Sequence, residues 1–244
     1  MNKIIVANWK MNPRTEREAV VLARASDIKN VVICPPFPFI SAVRGAVRRA
    51  TLGGQDAAPG TVGAETGEVS VGELKALGVQ YVIIGHSERR AEGERDARIA
   101  KKIAGVLGGG LIPILCVGEP LSVRRKGVAA ARSYVKKQLV EGLKLVDSHK
   151  SKVFSLYIAY EPVWAISTTK NHADETPEDA AGMAKFIRSL VIRRTSSVKI
   201  LYGGSVNAKN AASFLRRPEF TGILVGGASI RPTEFKTIIR LASR

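Results

Sequence analysis

Residues 4–12 read IIVANWKMN: four apolar residues, Ile4–Ala7, run without alternation into Asn8, Trp9, Lys10, Met11 and Asn12. An unbroken apolar run of this length marks a strand covered on both faces, because a strand with one wet face alternates with period two. No Gly-x-Gly-x-x-Gly follows it, so the chain does not open like a dinucleotide-binding doubly wound sheet, the other α/β architecture weighed for it. Two polar residues, Asn8 and Lys10, stand instead at the strand's C-terminal end.

Outward from there the pattern recurs. Runs rich in β-branched residues lie at Val31–Cys34, Thr51–Gly53, Tyr81–Ile84, Leu111–Val117, Phe154–Tyr160, Val198–Tyr202 and Gly222–Val225, making eight candidate strands with the first. Helix-period segments accompany them: Thr15–Asp27, Phe39–Arg49, Val71–Leu77, Asp96–Leu107, Val123–Val146, Pro177–Arg194, Ala208–Leu215 and Thr233–Leu241. Ser70 and Glu73 have capping-box spacing, and Thr176, Pro177 and Asp179 read as an N-cap, an N1 proline and an acidic first turn. Gly78 and Gly105 are expected to end or break helices. Eight β-then-α units in 244 residues predict a single (β/α)8 TIM barrel, one catalytic domain over residues 1–244.

Composition narrows the class. Apolar residues make up 45% of the chain and charged residues 24%, enough apolar surface for a core and too little charge for a disordered chain. No apolar run reaches membrane-spanning length, and the N-terminus has no signal-peptide pattern, so the expectation is a cytoplasmic protein with no membrane association. Cys34 and Cys116 each sit in an apolar run without a partner at metal-ligand spacing; buried thiols are expected, with no disulfide, metal or cofactor. The net charge of +17 attracts anions, but the basic residues are scattered along helices without interleaved aromatics. No specific nucleic-acid partner is expected.

In a barrel the chemistry sits at the C-terminal ends of the strands. The polar residues there are Asn8 and Lys10 after the first run, His86, Ser87 and Glu88 after the fourth, and Glu161 after the sixth. Gly203–Gly204 follow the seventh and Gly226–Gly227 the eighth. Each alone has an ordinary structural reading as a surface cation, a rim carboxylate or a tight turn. Together they supply a carboxylate that can act as a base, an imidazole at a helix start that keeps it neutral, a cation, and backbone N–H groups for an anion. Pro162 holds the chain after Glu161 out of helical geometry.

The motifs NWKMN (8–12), GGQD (53–56), TGE (66–68), IIGHSERR (83–90), CVGE (116–119), AYEPVWAI (159–166), YGGSV (202–206) and LVGGASI (224–230) occur in an order that resembles the triosephosphate isomerase family over the whole chain. The resemblance implies interconversion of dihydroxyacetone phosphate and glyceraldehyde 3-phosphate without a cofactor. It assigns proton transfer to Glu161, a hydrogen bond on the enediolate to His86, and charge stabilisation to Lys10 with Asn8. Glu88 would pair with Lys10, and Ser87 would hold the resting position of Glu161. The substrate would bind Asn8 and Lys10, with its phosphate held by the backbone of Ser167, Ser205, Gly226 and Gly227, under a lid from Pro162 to about Thr176. NWK, HSE and EPVW together exclude other phosphate-binding barrels that share only the glycine turns. A non-catalytic, nucleic-acid-binding barrel is disfavoured by the intact set Asn8, Lys10, His86 and Glu161.

Four features depart from the family. Ser167-Thr168-Thr169-Lys170 replaces the usual Gly-Thr-Gly-Lys, and residues 171–175, NHADE, lengthen the lid by about three residues. A serine or threonine forced to positive φ costs on the order of 1 kcal/mol, so closure is expected through a shifted tip. Glu65 stands where an aromatic usually precedes Thr-Gly-Glu, and one residue fewer separates SERR from Glu94. The family pattern also implies a homodimer in which the loop at 61–70 docks beside the partner's site.

Overall fold

The computed structural model describes residues 3–60, 62–146, 155–166, 174–192 and 197–243. The strands are β1 (Ile4–Asn8), β2 (Val31–Cys34), β3 (Thr51–Gly54), β4 (Val79–Ile84), β5 (Ile112–Val117), β6 (Ser155–Tyr160), β7 (Ser197–Tyr202) and β8 (Gly222–Val225). They pair in sequence order, all parallel, and β1 also pairs with β8, so the sheet closes into a barrel. The helices are α1 (Glu16–Ala25), α2 (Ile40–Ala46), α3 (Val71–Ala76), α4 (Ser87–Ala91), α5 (Asp96–Gly108), α6 (Leu121–Arg124), α7 (Val128–Gly142), α8 (Pro177–Val191), α9 (Ala211–Leu215) and α10 (Pro232–Ala242).

The unbroken apolar runs follow from burial on both faces. One set of alternate strand residues, including Val6, Val32, Ile83, Ile114, Ala159, Leu201 and Leu224, fills the barrel interior. The other set, including Ile5, Ala7, Val82, Ile84 and Ile158, packs outward against the helices in a separate core. Both cysteines are free and buried in the interior set, and burial pushes both thiols well above their ordinary ionisation range.

Start signals act as expected. The Ser70 hydroxyl accepts from the Glu73 N–H while Glu73 accepts from the Ser70 N–H, a complete capping box, and Thr176 caps α8 at the Asp179 N–H with Pro177 at N1. Gly78 adopts φ 81° just past α3, as an αL terminator should. Gly105 does not end a helix; α5 runs through it to Gly108. A Cβ there would overlap the Pro59 carbonyl, so glycine serves close packing against the loop after β3. The segment expected as one helix over 123–146 divides at Gly127, whose φ of 99° breaks it into α6 and α7.

Candidate active site

The first strand delivers Asn8, 4% exposed, and then Lys10, whose φ of 53° lies in the left-handed region. Three bonds hold that conformation. The Lys10 N–H donates to Asn8 Oδ1 (3.1 Å), and Gln55 Nε2 donates to both Lys10 O (2.8 Å) and Cys34 O (3.0 Å). Gln55 thus ties the ends of β1 and β2 to the segment after β3. It lies in the GGQD motif, but nothing in the sequence says which backbone it reaches.

Lys10 Nζ meets Glu88 Oε1 at 2.5 Å. His86, 7% exposed, is the N-cap of α4, and its Nδ1 accepts from the Glu88 N–H at 3.2 Å. An Nδ1 that accepts carries no proton, so in the neutral imidazole the proton sits on Nε2. That nitrogen lies 3.6 Å from Glu161 Oε1.

Glu161 follows β6 and is 1% exposed. Its N–H is held by Val117 O (2.8 Å), its Oε2 accepts from the Ser87 N–H (3.2 Å), and its Oε1 has no hydrogen-bond partner among the described residues. Ser87 therefore holds the carboxylate through its backbone. Two glycines make room: a Cβ on Gly118 would overlap the Glu161 carbonyl, and one on Gly203 would come 2.8 Å from Glu161 Cγ. Arg90 braces the frame, donating to Gly85 O (2.8 Å) and Cys116 O (3.2 Å) and pairing with Asp96 (2.6 Å).

Beside this group lies a cavity of about 350 Å³ lined by Lys10, His86, Gly203–Val206, Gly226, Gly227 and Arg231. Gly226 caps the 3-10 turn Gly227–Ile230, whose first N–H groups face no intrahelical partner. The Ser205 N–H is donated to Ala165 O (3.0 Å), so an anion takes it only if that contact gives way. Ser167 lies outside the described residues, as do lid positions 168–173. Arg231 is not among the site residues expected from the sequence, because it stands six residues beyond β8. It lines the same cavity, steadied by Glu234 at 2.6 Å.

At the base of the lid a buried acid cluster forms. The Tyr160 hydroxyl lies 3.2 Å from both oxygens of Glu119 and from Glu175 Oε1, and Trp164 Nε1 donates to Glu119 Oε1 (3.0 Å). Arg124 approaches Glu119 at 3.8 Å and pairs with Asp179 at 3.1 Å. Glu175 belongs to the lengthened segment. Burial first, then the negative charge of Glu119, pushes its carboxyl up to about 8, partly offset by Arg124 and the Tyr160 hydrogen bond.

Folding therefore favours protonated Glu175. The stability it contributes is complete below the ordinary glutamate range and is lost as pH rises toward 8, by up to tenfold in the folding constant per pH unit. Glu175→Gln should remove that slope, melting above the parent at pH 8–9 with the difference closing toward pH 5. Thermal melts across that range check it, and parallel curves would refute it.

A buried carboxylate with a free oxygen, a neutral imidazole and an ammonium converge at the C-terminal mouth of a closed barrel, beside a polar anion-sized cavity. Fold and site together define a barrel enzyme of acid–base type acting on a small anionic substrate. The family model described as triosephosphate isomerase matches residues 3–242. The triosephosphate isomerase of Thermus thermophilus is 42% identical, covering 99% of this chain and 100% of that one. Those of Hahella chejuensis (41% identical; 98% of each chain) and Aquifex aeolicus (40%; 98% and 99%) are similar. The chain belongs to the triosephosphate isomerase family.

Proposed function

We propose that the barrel mouth isomerises triose phosphates by proton transfer, with Glu161 as the base, His86 and Lys10 as electrophiles and Asn8 supporting them. As a member of its family the chain interconverts dihydroxyacetone phosphate and glyceraldehyde 3-phosphate, a step of glycolysis. The observation that carries the assignment of roles is the buried Glu161 Oε1, without a hydrogen-bond partner among the described residues, lying 3.6 Å from His86 Nε2. A carbon acid bound against both gives its proton to Glu161. The charge that builds on its oxygens meets the His86 Nε2–H and the Lys10 ammonium. A glutamate base beside a neutral histidine is the established division of labour in triosephosphate isomerases, and the reading adds only which residues of this chain carry it.

Phosphate is read as lying against Gly226, Gly227 and Ser205, with Ser167 from the lid and with Arg231 adding charge at the rim. Binding energy taken there, remote from the reacting carbons, can drive closure over the site and exclude water. Isomerisation in D2O tests the reaction type: product with deuterium on the receiving carbon is expected, whereas full retention of protium would mean a hydride shift and sink the scheme.

The chain is read as one catalytic domain, cytoplasmic, working as a homodimer. Among the described residues no helix is long and apolar enough to cross a membrane. For the dimer, Met11 and Val62 are 91% and 88% exposed, and a hollow of about 480 Å³ beside Lys10 is lined partly by Met11, Phe37 and Val69. Apolar groups left this bare beside a site fit a covering second copy. Sedimentation equilibrium at micromolar concentration should give twice 26.2 kDa, and Met11→Glu should shift the protein to monomer. A parent that sediments at 26.2 kDa would count against the reading.

A further inference from the structure

The opposite, N-terminal mouth of the barrel holds a polar cluster that isomerisation does not use. Tyr157 belongs to the interior core and Tyr81 packs against it, their rings edge to face at 5.5 Å. Lys199, in register with Tyr157 across β6 and β7, donates to the Tyr157 hydroxyl (3.1 Å), its Nζ 5.0 Å from the ring centroid. These three open into a cavity of about 640 Å³ whose wall and rim add Lys3, Lys29 and Arg49. No acidic residue is among the described residues that line it.

The acids that act on this group are engaged elsewhere. Glu219, which acts on Lys3, pairs with Lys185 at 3.2 Å. Asp27, which interacts with Arg49, accepts the N–H groups of Arg48, Arg49 and Ala50 at 3.0, 2.7 and 2.8 Å. Lys3 itself is turned onto the carbonyls of Arg217 (3.0 Å) and Phe220 (2.5 Å). Four cations thus surround one concavity, and its protein walls concentrate their field. Lys199, part-buried and bonded to a neutral phenol, has no carboxylate partner among the described residues, which leaves its charge for an anion. Burial also pushes the Tyr81 hydroxyl up to about 12, leaving it a proton donor at neutral pH despite Lys199 nearby.

We propose that this cavity binds a small phosphate-bearing polyanion of the size of inorganic pyrophosphate, with Lys199 and the two phenols at its floor and Lys29, Arg49 and Lys3 around it. Lys199 sits at the hydroxyl end of Tyr157 and the Tyr81 ring flanks it edge to face, so the floor presents hydroxyl and ammonium groups to a ligand. That favours a compact anion over a nucleobase.

The test is calorimetric titration of the full chain with inorganic pyrophosphate while 2-phosphoglycolate saturates the catalytic mouth. One site per chain should remain and weaken with added salt. Lys199→Met should weaken it tenfold or more, and Arg49→Ala, at an exposed position that leaves the core untouched, several-fold, both with the isomerisation rate unchanged. Loss of all binding heat once 2-phosphoglycolate is present, or parental affinity in both variants, would overturn the proposal.

Discussion

Glu161→Gln should lower kcat about a thousandfold while the protein stays folded. The substitution keeps size and shape but replaces the carboxylate proposed to accept a carbon-bound proton with an amide that cannot, and a positioned general base is worth about 10²–10⁴ in rate. Stability should hold or rise slightly. Glu161 is 1% exposed with one oxygen unpartnered, so a neutral amide there avoids burying a charge. The Ser87 N–H still finds the amide oxygen as acceptor. Steady-state isomerisation of glyceraldehyde 3-phosphate, with circular dichroism melts of both proteins, reads the two effects separately. A variant within tenfold of the parent would remove Glu161 from the base role and leave the reaction to another group.

Lys10→Met should lower kcat/KM by about a thousandfold as well, through loss of charge rather than of structure. Methionine preserves the unbranched stem, and both residues bear the same penalty at φ 53°, so the backbone term cancels between parent and variant. The Gln55 and Asn8 bonds that hold this backbone involve no Lys10 side-chain atom and persist. Glu88 loses its partner, but its side chain is 50% exposed and water replaces the ammonium at little cost. The ammonium lines the cavity beside both His86 and the Gly226–Gly227 turn, so under the proposed roles its removal should weaken binding of the anion and stabilisation of the enediolate together. Removing one donor to developing oxyanion charge typically costs about 10²–10³, and substrate binding adds to that. Inhibition by 2-phosphoglycolate should weaken in parallel; an unchanged inhibition constant would show that Lys10 does not face the bound anion.

The acid cluster at the lid base illustrates where reading the chain alone runs short. NHADE is visible as extra sequence, and an acidic residue beside a helix start reads naturally as a favourable partner for the helix dipole. The fold instead turns Glu175 inward, 7% exposed, against Tyr160 and Glu119, two residues from other parts of the barrel. Its raised pKa is a property of that meeting and cannot be read from the segment. Arg231 was hidden for a similar reason: it stands beyond the end of β8, after a turn, and only the path of that turn brings it to the cavity.

By itself the sequence determined the fold class, the C-terminal strand ends to within about a residue, and the chemical identities of most groups at the barrel mouth. Apolar periodicity, capping residues and the polar residue directly after each strand are local signals, and a closed parallel barrel converts position along a strand directly into position along its axis. Only the tertiary structure decided what those groups touch. The 3.6 Å approach of His86 to Glu161, the grip of Gln55 on Lys10, the break at Gly127 and the cationic cavity at the opposite mouth all join residues distant in sequence or depend on one backbone dihedral. Packing sets such contacts by the mutual fit of several strands and loops, and no single segment carries that information.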